Sequence, residues 1–348
     1  MHDARVLVVD DSAAMRALFC DVLEQTKNIR VVGTAANAAE ARDQIAELMP
    51  NVVTLDVEMP GMSGIEFLEE IMTTNPLPVV MLSSLTQSGT ETSLKAFELG
   101  AVECFPKPLK ATPEQFAKTV GKLGKIVLAA ANSNVRDKPR NRGPKAEAEA
   151  EAGGGYVSNG KIAAFSASMG GVDALTEVLS RYPKNCPPTV IILQTEPALA
   201  QMFIDRANKD FPCAVKAAAD GAELSSGTVY IASDPGKHVI VEPGAPARLR
   251  LVERDPVEGF RPSATLLFGS IARASMPAIG AVLTGMGEDG AKGLKLLQAA
   301  GCRTLAQDRN TATVPQAPAA AVEAGAVDSE LRLEELAADI LANCGSEG

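Results

Sequence analysis

Tryptophan is absent from this chain, and histidine nearly so: there are two, His2 and His238. The missing tryptophan excludes no function. The scarcity of histidine matters more, because imidazole is the side chain best suited to exchange a proton near neutral pH. Six cysteines (Cys20, Cys104, Cys186, Cys213, Cys302 and Cys344) are scattered without C-x-x-C spacing, as expected for reduced thiols in a cytosolic protein. No apolar run approaches the roughly 20 residues that a membrane span needs. The opening MHDARVLVVDDS reads as a strand entering an acidic turn rather than a signal peptide. A soluble, cytoplasmic protein without membrane insertion is the expectation. Basic residues are outnumbered, 33 to 43, giving a net charge of −10. That balance argues against nucleic acid as a partner.

What is present suits two globular domains. The 348 residues are 46% hydrophobic and 22% charged. Residues 132–160 form the break, with a basic half (Arg136 to Lys145), then alternating Ala and Glu, then three glycines. Such a stretch cannot bury a core and reads as a flexible linker. The division expected is 1–125, then 126–160 as helix end and linker, then 161–348. In the first part, the Val-rich runs RVLVVD, VVGTAA, VVTLD, VVMLSS and VECF alternate with helical patterns, which predicts five βα units around a parallel, doubly wound sheet. The third part repeats the alternation with IAAFSAS, TVIILQT, VYIAS, AIGAVLTGM and RTLAQD as strands. It adds HVIVEPGAPARLRLVER as an antiparallel hairpin. The fold class is α/β in both.

Ligands of open parallel sheets bind beyond the carboxyl ends of the strands. In the first domain those ends carry Asp10-Asp11, Asp56, Ser83-Ser84 and Phe105-Pro106-Lys107-Pro108. Three crowded carboxylates repel one another unless a cation intervenes, and all-oxygen ligands suit Mg²⁺. Asp56 is the natural phosphoryl acceptor, Lys107 a neutralising cation and Ser83 a hydrogen-bond donor to a phosphoryl oxygen. Each feature also has a structural reading: Asp-Asp-Ser is a helix cap, and Lys-Pro is a turn.

In the second domain the apolar run of KIAAFSASMGG rises into Ser168 and ends on two glycines. It resembles a strand feeding a tight turn that holds a serine nucleophile. Small residues also suit any tight turn. The Thr284-Gly285-Met286-Gly287 turn can present backbone N–H groups to an oxyanion. Asp289 is either a functional acid or a first-turn helix acid. Gln194-Thr195-Glu196 ends the second strand.

VVDDS, TLDVEMPGMSG, MLSSLT and FPKP resemble the receiver domain of bacterial response regulators, a flavodoxin-like (βα)5 fold, over about residues 3–125. Followed by ASMGG, DPGKH, FRPSATLLF, LTGMGEDG, TLAQD and AVEAGAVD, the chain resembles the chemotaxis protein-glutamate methylesterase/protein-glutamine glutaminase (CheB) family from end to end. The resemblance implies phosphorylation of Asp56 by a histidine kinase, with Mg²⁺ held by Asp11, Asp56 and the Glu58 carbonyl and Asp10 helping through water. It implies hydrolysis of methyl-glutamate, and deamidation of glutamine, on chemoreceptors by a Ser-His-Asp triad that needs no cofactor. Ser168 falls on the nucleophile and Asp289 on the acid. Met286 and Met169 fall in the oxyanion region.

The family's histidine position, after the glutamine of the second strand, holds Thr195. A threonine hydroxyl is no proton acceptor near neutral pH. Ser166, Met169, Thr265 and Gln316-Ala317-Pro318 also depart from the family pattern. His238 is the one imidazole of the domain and the candidate surrogate base. A rival reading follows: a phospho-regulated receptor-binding or phosphate-sink protein without turnover. A transcriptional regulator is disfavoured, since the output domain has no basic recognition helix or helix-turn-helix signal.

Overall fold

A computed structural model describes residues 3–83, 87–107, 113–135 and 156–346. His2, Ser84, Pro108 and the linker residues 136–155 lie outside these. The chain divides into two compact units, Met1–Lys138 and Pro139–Gly348.

The first unit is a five-stranded parallel sheet ordered β2-β1-β3-β4-β5. The strands are β1 (Ala4–Val9), β2 (Ile29–Ala35), β3 (Val52–Asp56), β4 (Val79–Ser83) and β5 (Glu103–Pro106). They alternate with α1 (Ala13–Glu24), α2 (Ala38–Leu48), α3 (Gly64–Thr74), α4 (Gln87–Leu99) and α5 (Pro113–Ala131). β3 and β4 are buried along their whole length, because helices cover both faces of a parallel sheet. Ser12 starts α1 by accepting the Met15 N–H, and Ser63 and Glu66 form a capping box on α3.

The second unit is built on a seven-stranded parallel sheet ordered β14-β13-β12-β6-β7-β9-β8. From the centre outward on one side lie β6 (Ile162–Ala167), β12 (Ala278–Val282), β13 (Arg303–Gln307) and β14 (Ser329–Leu331). On the other lie β7 (Thr189–Leu193), β9 (Thr228–Ala232) and β8 (Ala214–Ala217). The helices are α6 (Gly171–Leu179), α7 (Pro197–Asp210), α8 (Ala264–Arg273), α9 (Ala291–Ala299), α10 (Gln316–Glu323) and α11 (Leu333–Cys344). The expected hairpin is present as β10 (His238–Glu242) paired antiparallel with β11 (Arg248–Val252). Edge strands β8 and β14, and helices α10 and α11, are additions to the sequence reading. Strands of four and three residues, and a helix as alanine-rich as QAPAAAVE, carry too little periodicity to announce themselves.

Alternation along the central strands sorts their side chains. Ile162, Ala164, Val190 and Ile192 face a core shared with Leu267, Phe268 and Ile271 of α8 and Val239, Val241 and Leu249 of the hairpin. Phe165, with no exposed surface, points to the opposite face. Because β6, β7, β12 and β13 are parallel neighbours, their carboxyl ends line one edge. Ser168, Gln194, Thr284 and Asp308 all follow those ends. Phe165→Ala removes a large buried ring from the central strand, which typically costs about 3–5 kcal/mol. The urea midpoint of the second unit should fall accordingly, while that of the receiver unit stays in place.

Candidate active site

Two clusters stand at the carboxyl ends of the two sheets. In the first unit Lys107 follows β5, and its backbone N–H donates to the Ser83 carbonyl at 2.8 Å, which fixes where its side chain begins. Its ammonium reaches Asp10 Oδ2 at 2.8 Å and Asp56 Oδ2 at 2.7 Å. Ligating oxygens of Asp10, Asp11 and Asp56 all lie within 4.8 Å of one another. Asp10 and Asp56 are buried, and Asp11 is exposed. This all-oxygen set, open on the Asp11 side, fits a hard divalent cation. The Glu58 N–H donates to Asp56 Oδ1 at 3.2 Å. Ser83 is buried with its Oγ 3.5 Å from that of Ser93, and no hydrogen bond joins it to Asp56.

Burial raises the Asp56 carboxyl above its ordinary range, against the opposing pull of Lys107. Burial also pulls the Lys107 ammonium down, but the carboxylates of Asp10 and Asp56 outweigh it and hold the group above its usual value.

In the second unit β6 ends at Ala167, and the chain turns through Ser168, Met169 and Gly170 into α6. Gly170 takes a left-handed φ of +75° at the helix N-cap, and a Cβ there would lie 2.6 Å from Thr313. The Ser168 N–H donates to the Thr284 carbonyl at 3.1 Å, and its own carbonyl accepts from the Gly171 N–H at 2.7 Å. The facing turn follows β12. Met286 N–H donates to Ser168 Oγ at 2.9 Å. Gly285 permits this approach, since a Cβ on it would stand 2.4 Å from Ser168 Oγ. The Met169 N–H takes no partner among the described residues. The residue after a nucleophilic serine commonly supplies one oxyanion donor.

Thr284 ties the two turns together. Its Oγ donates to the Met169 carbonyl at 2.9 Å and accepts the Val314 N–H at 2.9 Å, while its N–H donates to Gln307 Oε1 at 2.9 Å. Sequence reasoning placed Thr284 and Gln307 inside motifs without giving either a task.

Asp289 is 5% exposed and fully engaged. Ser263 Oγ donates to its Oδ1 at 2.7 Å, and the Thr265 N–H does so at 3.2 Å. The Ala264 N–H donates to Oδ2 at 2.8 Å, and Gln194 Nε2 does so at 2.7 Å. The partners Ser263 and Gln194 were not identified from sequence. A serine directly before the apolar run ATLLF is an N-cap signal that could have found the first. Thr195, half-buried, donates its N–H to the Leu193 carbonyl, and its hydroxyl makes no hydrogen bond among the described residues. His238 is buried completely. Its Nε2 donates to the Asp255 carbonyl at 3.1 Å, and its Nδ1 accepts the Ser263 N–H at 3.2 Å. No hydrogen bond joins His238 to Ser168. Ser168 and the Met286 turn are thus brought together, whereas Asp289 and His238 meet at Ser263.

The family model for the CheB methylesterase matches residues 163–340, and that for the response regulator receiver domain matches residues 6–119. A protein-glutamate methylesterase/protein-glutamine glutaminase of Caulobacter vibrioides is 44% identical over 344 residues, 98% of each chain. The chain belongs to the CheB methylesterase family. A relative of the same description from Agrobacterium fabrum is 44% identical over 97% of this chain and 96% of its own. The crystal structure of the Thermotoga maritima CheB methylesterase catalytic domain is 28% identical, with a TM-score of 0.50. It covers 53% of this chain and 98% of its own. Two domains, a receiver and a CheB methylesterase domain, therefore make up this CheB-family chain. Among the described residues no helix is long and apolar enough to cross a membrane.

The raised Asp56 carboxyl has a consequence for stability. A group that binds its proton more tightly when folded lowers stability as pH climbs through the carboxylate range. Asp56→Asn removes that loss. In EDTA the variant should melt a few degrees above the parent at pH 7, with the difference closing near pH 4. A variant that melts lower at pH 7 would mean that the Lys107 pair outweighs burial.

Proposed function

We propose that this chain is a phosphorylation-controlled methylesterase of chemoreceptors, with Ser168 as nucleophile. The observation that carries the reading is the Met286 N–H on Ser168 Oγ at 2.9 Å, at a strand–helix turn whose next N–H has no partner among the described residues. Ser168 Oγ bonds to the carbonyl carbon of a methyl-glutamate side chain. The developing oxyanion is met by the Met286 and Met169 N–H groups. The C–O bond to methoxide breaks, and methanol leaves with a proton. Water then opens the acyl-enzyme to give glutamate. With a glutamine side chain the leaving group is ammonia.

Asp56 takes the phosphoryl group from a histidine kinase. Asp10, Asp11 and Asp56, with the Glu58 carbonyl, would hold Mg²⁺, which when bound neutralises charge on the phosphoryl oxygens. Lys107 supports the same charge from the β5 side, and Ser83 contributes a hydroxyl once the phosphoryl group is in place. The rival reading, a phospho-regulated binding protein without turnover, is disfavoured by methylesterase relatives that span 97–98% of the chain.

Thr195 stands at the family's base position, so the Ser168 proton passes to water. Methanol release from methyl-labelled receptor membranes should fall to background in Ser168→Ala; equal release from both proteins would end the esterase reading. The parent's kcat/KM should climb steadily with pH from 6 to 8, without an imidazole inflection. Thr195→His should raise kcat at least about 100-fold and introduce that inflection. If it leaves both unchanged, Thr195 is not the base position.

A further inference from the structure

Asp289 and His238 present a puzzle together. A carboxylate with four hydrogen-bond donors has little left with which to orient a base. A buried imidazole with both nitrogens engaged has no lone pair for catalysis. Both belong to one connected set of bonds, which runs from the hairpin to the oxyanion turn.

The set starts at β10. His238 Nε2 faces a carbonyl, so it must donate, and Nδ1 faces a backbone N–H, so it must accept. Only the Nε2–H tautomer meets both roles. The acceptor end holds the N–H of Ser263, the buried N-cap residue of α8, whose carbonyl accepts the Leu267 N–H at 3.3 Å. Ser263 Oγ then donates to Asp289 Oδ1, and the next two N–H groups of α8 donate to the same carboxylate. A carboxylate on a helix N-terminus is favoured by the exposed N–H groups and by the helix dipole. Gln194 Nε2 closes the set from the end of β7, bonding both Asp289 Oδ2 and the Pro262 carbonyl. Asp289 sits three residues after Met286, on the turn whose N–H reaches Ser168. Gly290, the next residue, donates its N–H to Thr265 Oγ at 3.0 Å, which seats the same turn on α8 a second time.

We propose that Asp289 anchors the 284–290 oxyanion turn onto the start of α8, and that His238 is a positioning residue that sets this anchor through Ser263. The proposal deepens the esterase reading and rests on it for the activity readout alone. His238 touches no substrate. It acts by placing the Met286 N–H, and misplacing a catalytic group by about 1 Å can cost roughly 100-fold.

Two amide variants of the full chain separate the links. In His238→Asn the side-chain carbonyl takes the place of Nδ1 and keeps the Ser263 bond. In His238→Gln the amide reaches the Nε2 position and keeps only the bond to Asp255. Hydrogen exchange read by mass spectrometry follows the segments 261–266 and 284–290. His238→Gln and His238→Leu should speed exchange in both segments by roughly tenfold or more, whereas His238→Asn holds both near the parent. Ser263→Ala keeps the Ser263 N–H on the imidazole but deletes the hydroxyl on Asp289, and should loosen 284–290. It serves if a His238 variant fails to fold. In the methanol assay kcat should fall roughly 10- to 100-fold in His238→Gln with KM within about twofold, and His238→Asn should recover most of the loss. Exchange in 284–290 that is unchanged in His238→Gln and Ser263→Ala overturns the proposal, as does equal behaviour of His238→Asn and His238→Gln. Ser168→Ala that matches the parent in methanol release defeats the esterase reading instead, and the exchange data still decide the anchor.

Discussion

The catalytic unit is organised around one buried charge. Asp289 lies 5% exposed on the turn after β12, and among the described residues no cation is paired with it. An ionised carboxylate in that position is tolerated only when hydrogen bonds replace its lost hydration. Two side chains and two backbone N–H groups supply four such bonds. The need to satisfy that charge links three pieces of chain: the end of β7, the start of α8 and the oxyanion turn. Losing one donor leaves a buried charge partly bare, which makes the cluster rigid as a whole.

Ser168 depends on this rigidity because its own turn offers little. Its Oγ receives one N–H from across the gap, and the turn is held by Thr284 bonds to Met169 and Val314. Gly285 and Gly170 are the backbone's part of the arrangement. One lets the facing turn come close to Ser168 Oγ, and the other takes the left-handed conformation that swings the chain from β6 into α6. A hydroxyl that accepts an N–H from a facing turn is well suited to an anionic tetrahedral centre and poorly suited to losing its own proton. Geometry and base supply are separate requirements at such a site.

Much of this was legible in the sequence, for a physical reason. Parallel strands buried on both faces must be near-continuous apolar runs, so β3, β4, β6 and β7 stood out, and their last residues pointed to the edge where ligands bind. Asp10, Asp56 and Lys107 could be placed together because each follows such a run. What stayed hidden were side chains whose partners are distant and whose own surroundings are bland. Gln194 bonds a residue 95 positions away, and Ser263 one 26 away. Neither separation leaves any periodic trace. His238 looked like a candidate base because it is the one imidazole of its domain. Its tautomer is set by Ser263 and Asp255, contacts that only the folded hairpin creates.

The two units set buried aspartates at the same edge of the same kind of sheet and treat them in opposite ways. In the receiver, Asp10 and Asp56 share an ammonium on a flexible four-carbon stem, and a third carboxylate is exposed beside them. A mobile cation can be displaced or joined by another, so the charge stays available for exchange with a metal ion or a phosphoryl group. In the hydrolase unit, Asp289 is met by neutral donors fixed in a helix start and a strand end. Such dipoles cannot leave, and they cost no reorganisation once built. Whether a buried carboxylate becomes a reaction centre or a fastener is therefore decided less by its burial than by the mobility of what balances it. By that measure Asp56 is poised to change partners and Asp289 is not.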